Sequence, residues 1–114
     1  MRLRNTLAAA AGALVLVLTI PASANAAALG HFDYEYKDAL GITQFGSLDN
    51  PPTDRCIDLP ELLSNGTPAD SPRNRTNNFA LIYIGAGCTG NDFPVPSNGS
   101  GSANLKLRSV MFAA

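Results

Sequence analysis

The 114-residue chain has no tryptophan, one histidine, two cysteines and two methionines, and only 15% of it is charged. Each shortage excludes something. A single imidazole, His31, cannot complete a four-ligand metal site even with both cysteines beside it. A Ser/His/Asp device needs a positioned base, and His31 lies near the start of the folded part, where chains fray. Basic residues number eight against nine acidic, a formal charge of -1, so the electropositive field that accompanies nucleic-acid binding is missing. No sustained 3.6-residue periodicity appears outside the N-terminal apolar run, which argues against a helical body. The length allows one ordinary small domain, and 46% apolar content is too high for a disordered chain.

What is present falls into two unlike pieces. Arg2 and Arg4 are followed by an uncharged apolar run from Leu7 to Ile20, and Ala24-Asn25-Ala26 supplies the small-x-small pattern read by a signal peptidase. Residues 1–26 therefore read as a secretory signal and residues 27–114 as the mature domain. The competing reading is a membrane anchor, but the run falls short of the roughly 20 apolar residues a bilayer core demands. The expected location is secreted, extracellular and free of the membrane once the signal is gone. The remaining piece holds six basic and nine acidic residues, a net charge of -3, and all eight aromatic rings.

A domain this small buries little apolar surface and gains from a covalent staple. Cys56 and Cys88 are the two cysteines, 32 positions apart in a chain read as exported, where an oxidising compartment favours a disulfide. Two free thiols or a metal pair is the alternative.

Phe32-Asp33-Tyr34-Glu35-Tyr36 alternates rings and carboxylates at period two, the pattern of a half-buried strand. Phe79 to Ile84 is a continuous apolar run between Asn77-Asn78 and Gly85-Ala86-Gly87, and it reads as the most buried strand. Shorter strand candidates are 42–45, 56–59, 92–95 and 105–112, the last split near Arg108. Asp49-Asn50-Pro51-Pro52, Asn65-Gly66, Ser71-Pro72 and the stretch 94–101 read as turns. Pro60-Glu61-Leu62-Leu63 has room for one helical turn. Many short strands separated by turn chemistry indicate an all-β sandwich or barrel.

An internal repeat sharpens the expectation. Tyr34 precedes Gly41 by the spacing at which Tyr83 precedes Gly90, an offset of 49 for both residues. Each half then closes on a related phrase, Arg55-Cys56-Ile57-Asp58-Leu59 in the first and Arg108-Ser109-Val110-Met111-Phe112 in the second. Two β units in tandem are the simplest account, with coincidence as the alternative.

The phrase Tyr83-x4-Cys88-x-Gly90-x2-Phe93, with Ser109-Val110-Met111-Phe112 following, resembles the Greek-key motif of the βγ-crystallins. Gly90 would sit where the chain folds over with positive φ, and the Ser109 hydroxyl would tie that fold to the closing strand. The first half matches less closely, with Ala39 before Gly41 and Cys56 in place of the serine. In size, cysteine pair and the phrase Ser71-Pro72-Arg73-Asn74-Arg75-Thr76, the chain is also similar to small secreted actinobacterial proteins of βγ-crystallin-like form. The resemblance implies two four-stranded Greek-key motifs packed face to face, with Cys56 on the closing strand of the first and Cys88 in the fold of the second.

Calcium is the ligand that the resemblance brings with it. Here Asn104-Leu105-Lys106-Leu107-Arg108-Ser109 places Leu105 and Arg108 in ligand positions, and Pro51 to Cys56 lacks the acidic or amide pair. Calcium binding is not expected, and neither is any cofactor. Asp33 and Glu35 read as a solubilising strand edge rather than a glycosidase pair, and Gly85 to Gly90 as a turn rather than a phosphate loop. Arg55, Arg73, Arg75 and Arg108 read as scattered solvated cations. Asn65, Asn74 and Asn98 head glycosylation-type triplets better explained as loop residues. The segment 94–103 reads as a mobile loop able to carry recognition.

The expected function is that of a non-enzymatic secreted domain with a binding or structural role, its partner an unknown protein or envelope component. The alternative is a secreted proteinase inhibitor or toxin-like effector, with Pro94-Val95-Pro96 or the segment around Ser71-Pro72 as the rigid exposed loop.

Overall fold

The computed structural model describes residues 27–62 and 66–114; the signal segment read at 1–26 lies outside the described residues. Eight strands follow in order: β1 (Gly30–Lys37), β2 (Thr43–Asp49), β3 (Cys56–Asp58), β4 (Ala69–Thr76), β5 (Phe79–Gly85), β6 (Thr89–Val95), β7 (Lys106–Leu107) and β8 (Ser109–Ala113). A 3-10 turn, Pro60–Leu62, follows β3. The strands form two four-stranded antiparallel sheets in the orders β2-β1-β4-β7 and β3-β8-β5-β6. Advancing every label by four turns the first order into the second read backwards, so the halves are related by a pseudo-twofold. Each half sends its third strand into the sheet of the other.

The alternation in β1 decides which face is buried. Phe32 and Tyr34 point inward and are buried, while His31, Asp33 and Glu35 lie on the outer face. β1 is an inner strand between β2 and β4, so its carboxylates decorate a sheet face rather than an edge. From the second sheet Ala80, Ile82, Val110 and Phe112 meet them. Phe32 and Phe112 pack edge to face across the interface, centroids 5.4 Å apart at 83°, a geometry that adds about 0.5–1.5 kcal/mol beyond area burial.

Tyr34 illustrates how tightly the layer fits. Its ring lies over Gly46, its partner on β2, and its hydroxyl donates to Glu61 Oε1 at 2.5 Å. Burial first, then the Glu61 hydrogen bond and charge, push the phenol far above its ordinary value, so it stays protonated. A Cβ on Gly46 would lie within 2.8 Å of Cε2, Cζ and Oη of Tyr34. The ring cannot swing away without leaving Glu61, so Gly46→Ala is expected to cost about 1–3 kcal/mol, the range for overpacking a core. A thermal melt checks this; an unchanged midpoint would mean the ring is free to move.

Three sequence expectations need correction. Ser71-Pro72 is not a turn: it lies, with the rest of the phrase Ser71 to Thr76, within β4, in the middle of the first sheet. Its inward positions are Pro72, Asn74 and Thr76, too polar to register as a buried strand. The phrases 55–59 and 108–112 are not equivalent closing strands: Cys56, Ile57 and Asp58 pair with Met111, Val110 and Ser109 as neighbours in one sheet. Tyr34 and Tyr83 do not occupy equivalent places either. Tyr83 is half-buried outside the core while its neighbour Ile82 points in, so the inward residue of β5 is Ile82 rather than the matched tyrosine.

The stretch 96–104 is also held rather than loose. Asn98 N donates to Asn74 O at 2.7 Å, Asn74 N to Gly99 O at 2.8 Å and Gly101 N to Pro72 O at 2.9 Å, so it runs alongside β4 as an irregular extra strand. Asn74 is fully buried and anchors this arrangement. Its Nδ2 donates to Asn78 O and Val95 O, at 2.8 and 2.9 Å, and its Oδ1 accepts from Thr76 N and Thr76 Oγ1, at 3.0 and 2.7 Å.

Candidate functional site

The Cys56–Cys88 disulfide is formed, with Cα atoms 5.9 Å apart. Cys56 opens β3 and Cys88 ends the β5–β6 turn, Ala86–Cys88, where Gly87 and Cys88 both take positive φ. Cys56 is on a third strand, not a closing one, so the bond joins two parts of the same sheet although its cysteines come from different halves of the sequence. Three hydrogen bonds reinforce the corner. Gly87 N donates to Asp58 Oδ1 at 2.6 Å, Cys88 N to Ser109 Oγ at 2.9 Å, and Ser109 Oγ to Gly85 O at 2.6 Å. The Ser109 hydroxyl is buried and spent in both directions, so it offers no nucleophile. Gly90 sits just beyond with φ +81°, and Gly41, at the matching place in the first half, has φ +79°.

The remaining sequence candidates are placed as follows. His31 Nε2 is 3.5 Å from Asp33 Oδ2 on the outer face of the first sheet, and Arg75 and Arg73 lie across from those two residues on β4. Arg108 donates to Gly66 O and Arg55 precedes β3, so the four arginines do not converge. Pro94 and Val95 belong to β6; Val95 is buried and its carbonyl is held by Asn74. Ser71-Pro72 is inside β4. Neither segment read as a rigid exposed loop stands free of the sheets.

A different turn does stand free. Asp38 closes the β1–β2 hairpin by accepting from Leu40 N at 2.9 Å and Ile42 N at 3.0 Å on Oδ1, and from Gln44 Nε2 at 3.1 Å on Oδ2. Leu40 is thereby presented at the tip with 84% of its surface exposed. The Ile42 and Gln44 hydrogen bonds, with a smaller share from Leu40, hold the Asp38 carboxyl below its ordinary value of 3.8. A depressed folded-state pKa means that the carboxylate's grip is complete above the unfolded value and fades as pH falls through the folded one. The Leu40 and Ile42 amide resonances are therefore expected to hold steady down to about pH 4 and to titrate together below it. Movement centred above pH 4 would contradict the caged turn.

A concave feature among the described residues lies at the opposite edge. A cleft of about 260 Å³ is lined by Ile82, Ile84, Phe93 and Leu105, with Asn91, Asp92, Asn104 and Lys106 around it. Phe93 pairs with the inward-facing Ile82 and shares its side of the sheet, yet 52% of its surface is exposed. The cause is a difference in chain length between the halves. In the first half the chain runs on from β3 through Leu59 and the Pro60–Leu62 turn, burying Leu59 and Leu62 and placing Glu61 on Tyr34. In the second half only Arg108 separates β7 from β8, so nothing equivalent covers β6. Lys106 is tied to Asp70 at 3.6 Å; Asp92 faces solvent. Phe93 was visible in the sequence as a motif residue, whereas Ile84 was read only as the end of a strand and Leu105 and Lys106 only as positions in a strand and a broken calcium motif.

Among the described residues no group of three His, Cys, Asp or Glu side chains converges as metal ligands, and no helix is long and apolar enough to cross a membrane. No protein-family model, curated protein or solved structure matches the chain.

Proposed function

We propose that the protein is an exported, non-enzymatic domain that binds a partner protein outside the cell, with the cleft beside β6 as its receptor for an apolar side chain. The observation that carries the reading is the cleft itself: Ile82, Ile84, Leu105 and the half-exposed Phe93 line it, and the longer connection that follows β3 has no counterpart after β7. The Cys56–Cys88 bridge suits an oxidising compartment, and the run of residues 7–20 after Arg2 and Arg4 supports removal of residues 1–26 on export. The exchange of third strands between sheets supports a βγ-crystallin-like arrangement of two Greek keys, with calcium and other cofactors absent from its role.

Capture from the native culture medium tests the reading, with Phe93→Glu as the matched bait. A stoichiometric protein held by the wild type and lost with Phe93→Glu is expected. An empty lane, or capture indifferent to Phe93→Glu, would refute it. Leu40, fixed at the tip of a caged turn, favours proteinase inhibition as a second reading. It requires inhibition of at least one secreted protease that Leu40→Glu abolishes.

A further inference from the structure

We propose that the free edge of β2 is a self-association surface at which a second copy of this chain adds its own β2, making one continuous eight-stranded sheet. β2 ends its sheet, seven residues long. The other edges are blunted: β3 has three residues, β7 has two, and β6 carries Asp92 and Pro94 within its length. β2 has no proline or lysine, and its one charge, Asp49, is at its end. Such an edge is a template for another strand.

The phase of the existing ladder fixes which groups are free. Asn50 N donates to Gly30 O and Asp38 N to Ile42 O, and the antiparallel register runs unbroken between those two pairs. Hydrogen-bonded pairs alternate, so Gln44, Gly46 and Leu48 turn their backbone groups to β1. Thr43, Phe45, Ser47 and Asp49 therefore turn theirs to the open edge. Two β2 strands related by a twofold at Gly46 bring Thr43 opposite Asp49 of the second copy, and Phe45 opposite Ser47 of the second copy, all with matched edge groups. A twofold at Phe45 or Ser47 leaves part of each strand unpaired.

Side-chain chemistry agrees with that register. Phe45 is 72% exposed on the outer face of the sheet, and in this pairing the two Phe45 rings become diagonal neighbours that cover each other. Lys37, whose Nζ donates to Thr43 Oγ1 at 2.7 Å, then stands in the same cross-strand row as Asp49 of the second copy. The twofold repeats this opposite-charge pair at each end of the joint. This charge complementarity favours a second copy over an unrelated extended peptide.

The test uses protein recovered from cells expressing the full chain with its disulfide formed. Sedimentation velocity is expected to give twice the monomer mass at tens of micromolar, falling with added salt. Slowed exchange should appear at the Thr43, Phe45, Ser47 and Asp49 amides on association. Asp49→Lys is expected to return the monomer mass with an unchanged melting curve, and Asp49→Lys with Lys37→Asp to restore the dimer. A monomer at every concentration would overturn the proposal. So would a dimer indifferent to Asp49→Lys and to Ser47→Pro, or a monomer whose β2 edge is covered only by an added foreign peptide.

Discussion

Reducing the Cys56–Cys88 bond is expected to lower the melting temperature by roughly 12–30 °C, one of the two largest effects expected in the molecule. The figure follows from loop closure: a loop of about 33 residues contributes on the order of 3–4 kcal/mol on the chain-entropy model. Each kcal/mol moves the midpoint of a domain this small by about 4–8 °C. The structure explains why the contribution is not replaced by packing. β3 has three residues and rests on β8 alone, too short to hold its edge without the bond. The β5–β6 turn that it grips has positive φ at Gly87 and Cys88, a conformation that for Cys88 needs outside support. Melting the oxidised and the reduced protein at one pH measures the effect. A shift under about 5 °C would mean that the bond is ornamental to stability.

Replacement of Asn74 by Asp should have an effect of comparable size, because it keeps the shape and reverses two donors. Asn74 Nδ2 serves the carbonyls of Asn78 and Val95 in a fully buried place; a carboxylate there would face both oxygens. Thr76 N and Thr76 Oγ1 would still donate to the other oxygen. Burial and the two carbonyls oppose the charge more strongly, so the new carboxyl has a folded-state pKa raised above its unfolded value near 4. Relative to the native protein, stability is then best preserved below about pH 4 and is lost as pH rises through the raised value. At pH 7 the loss is expected to approach about 3–5 kcal/mol, the range for an uncompensated buried charge. Denaturant unfolding at acid and neutral pH gives the two values. Equal losses at both would show that water reaches the site.

Asn74 also marks where sequence reading stops. β1 was legible because apolar periodicity reports burial when core residues are apolar; the Phe79–Ile84 run announced β5 but not its faces, and the reading of it as the most buried strand fails, since only Ala80 and Ile82 are buried while Phe79 and Ile84 lie 44% and 41% exposed. The break at Arg108 was legible, as was the cysteine pair, since two cysteines admit one bridge. β4 was invisible because its inner face is Pro72, Asn74 and Thr76, buried through hydrogen bonds to residues 95–101 that no local pattern encodes. The match of Tyr34 with Tyr83 misled because the spacing that aligns Gly41 with Gly90 does not carry back into the strands, where Ile82 and not Tyr83 points inward. The cleft was beyond reach for another reason. It is produced by a missing segment between β7 and β8, and its lack matters only once β3 and β7 are known to have exchanged sheets.

That exchange underlies both the cleft and the disulfide corner, and cross-strand nuclear Overhauser contacts test it most directly. Contacts between Ile57 and Val110, together with contacts between Asp70 and Lys106, are the expected result. Contacts placing Cys56–Asp58 beside β4 and Lys106–Leu107 beside β8 would mean that each half keeps its own third strand, and would contradict the account.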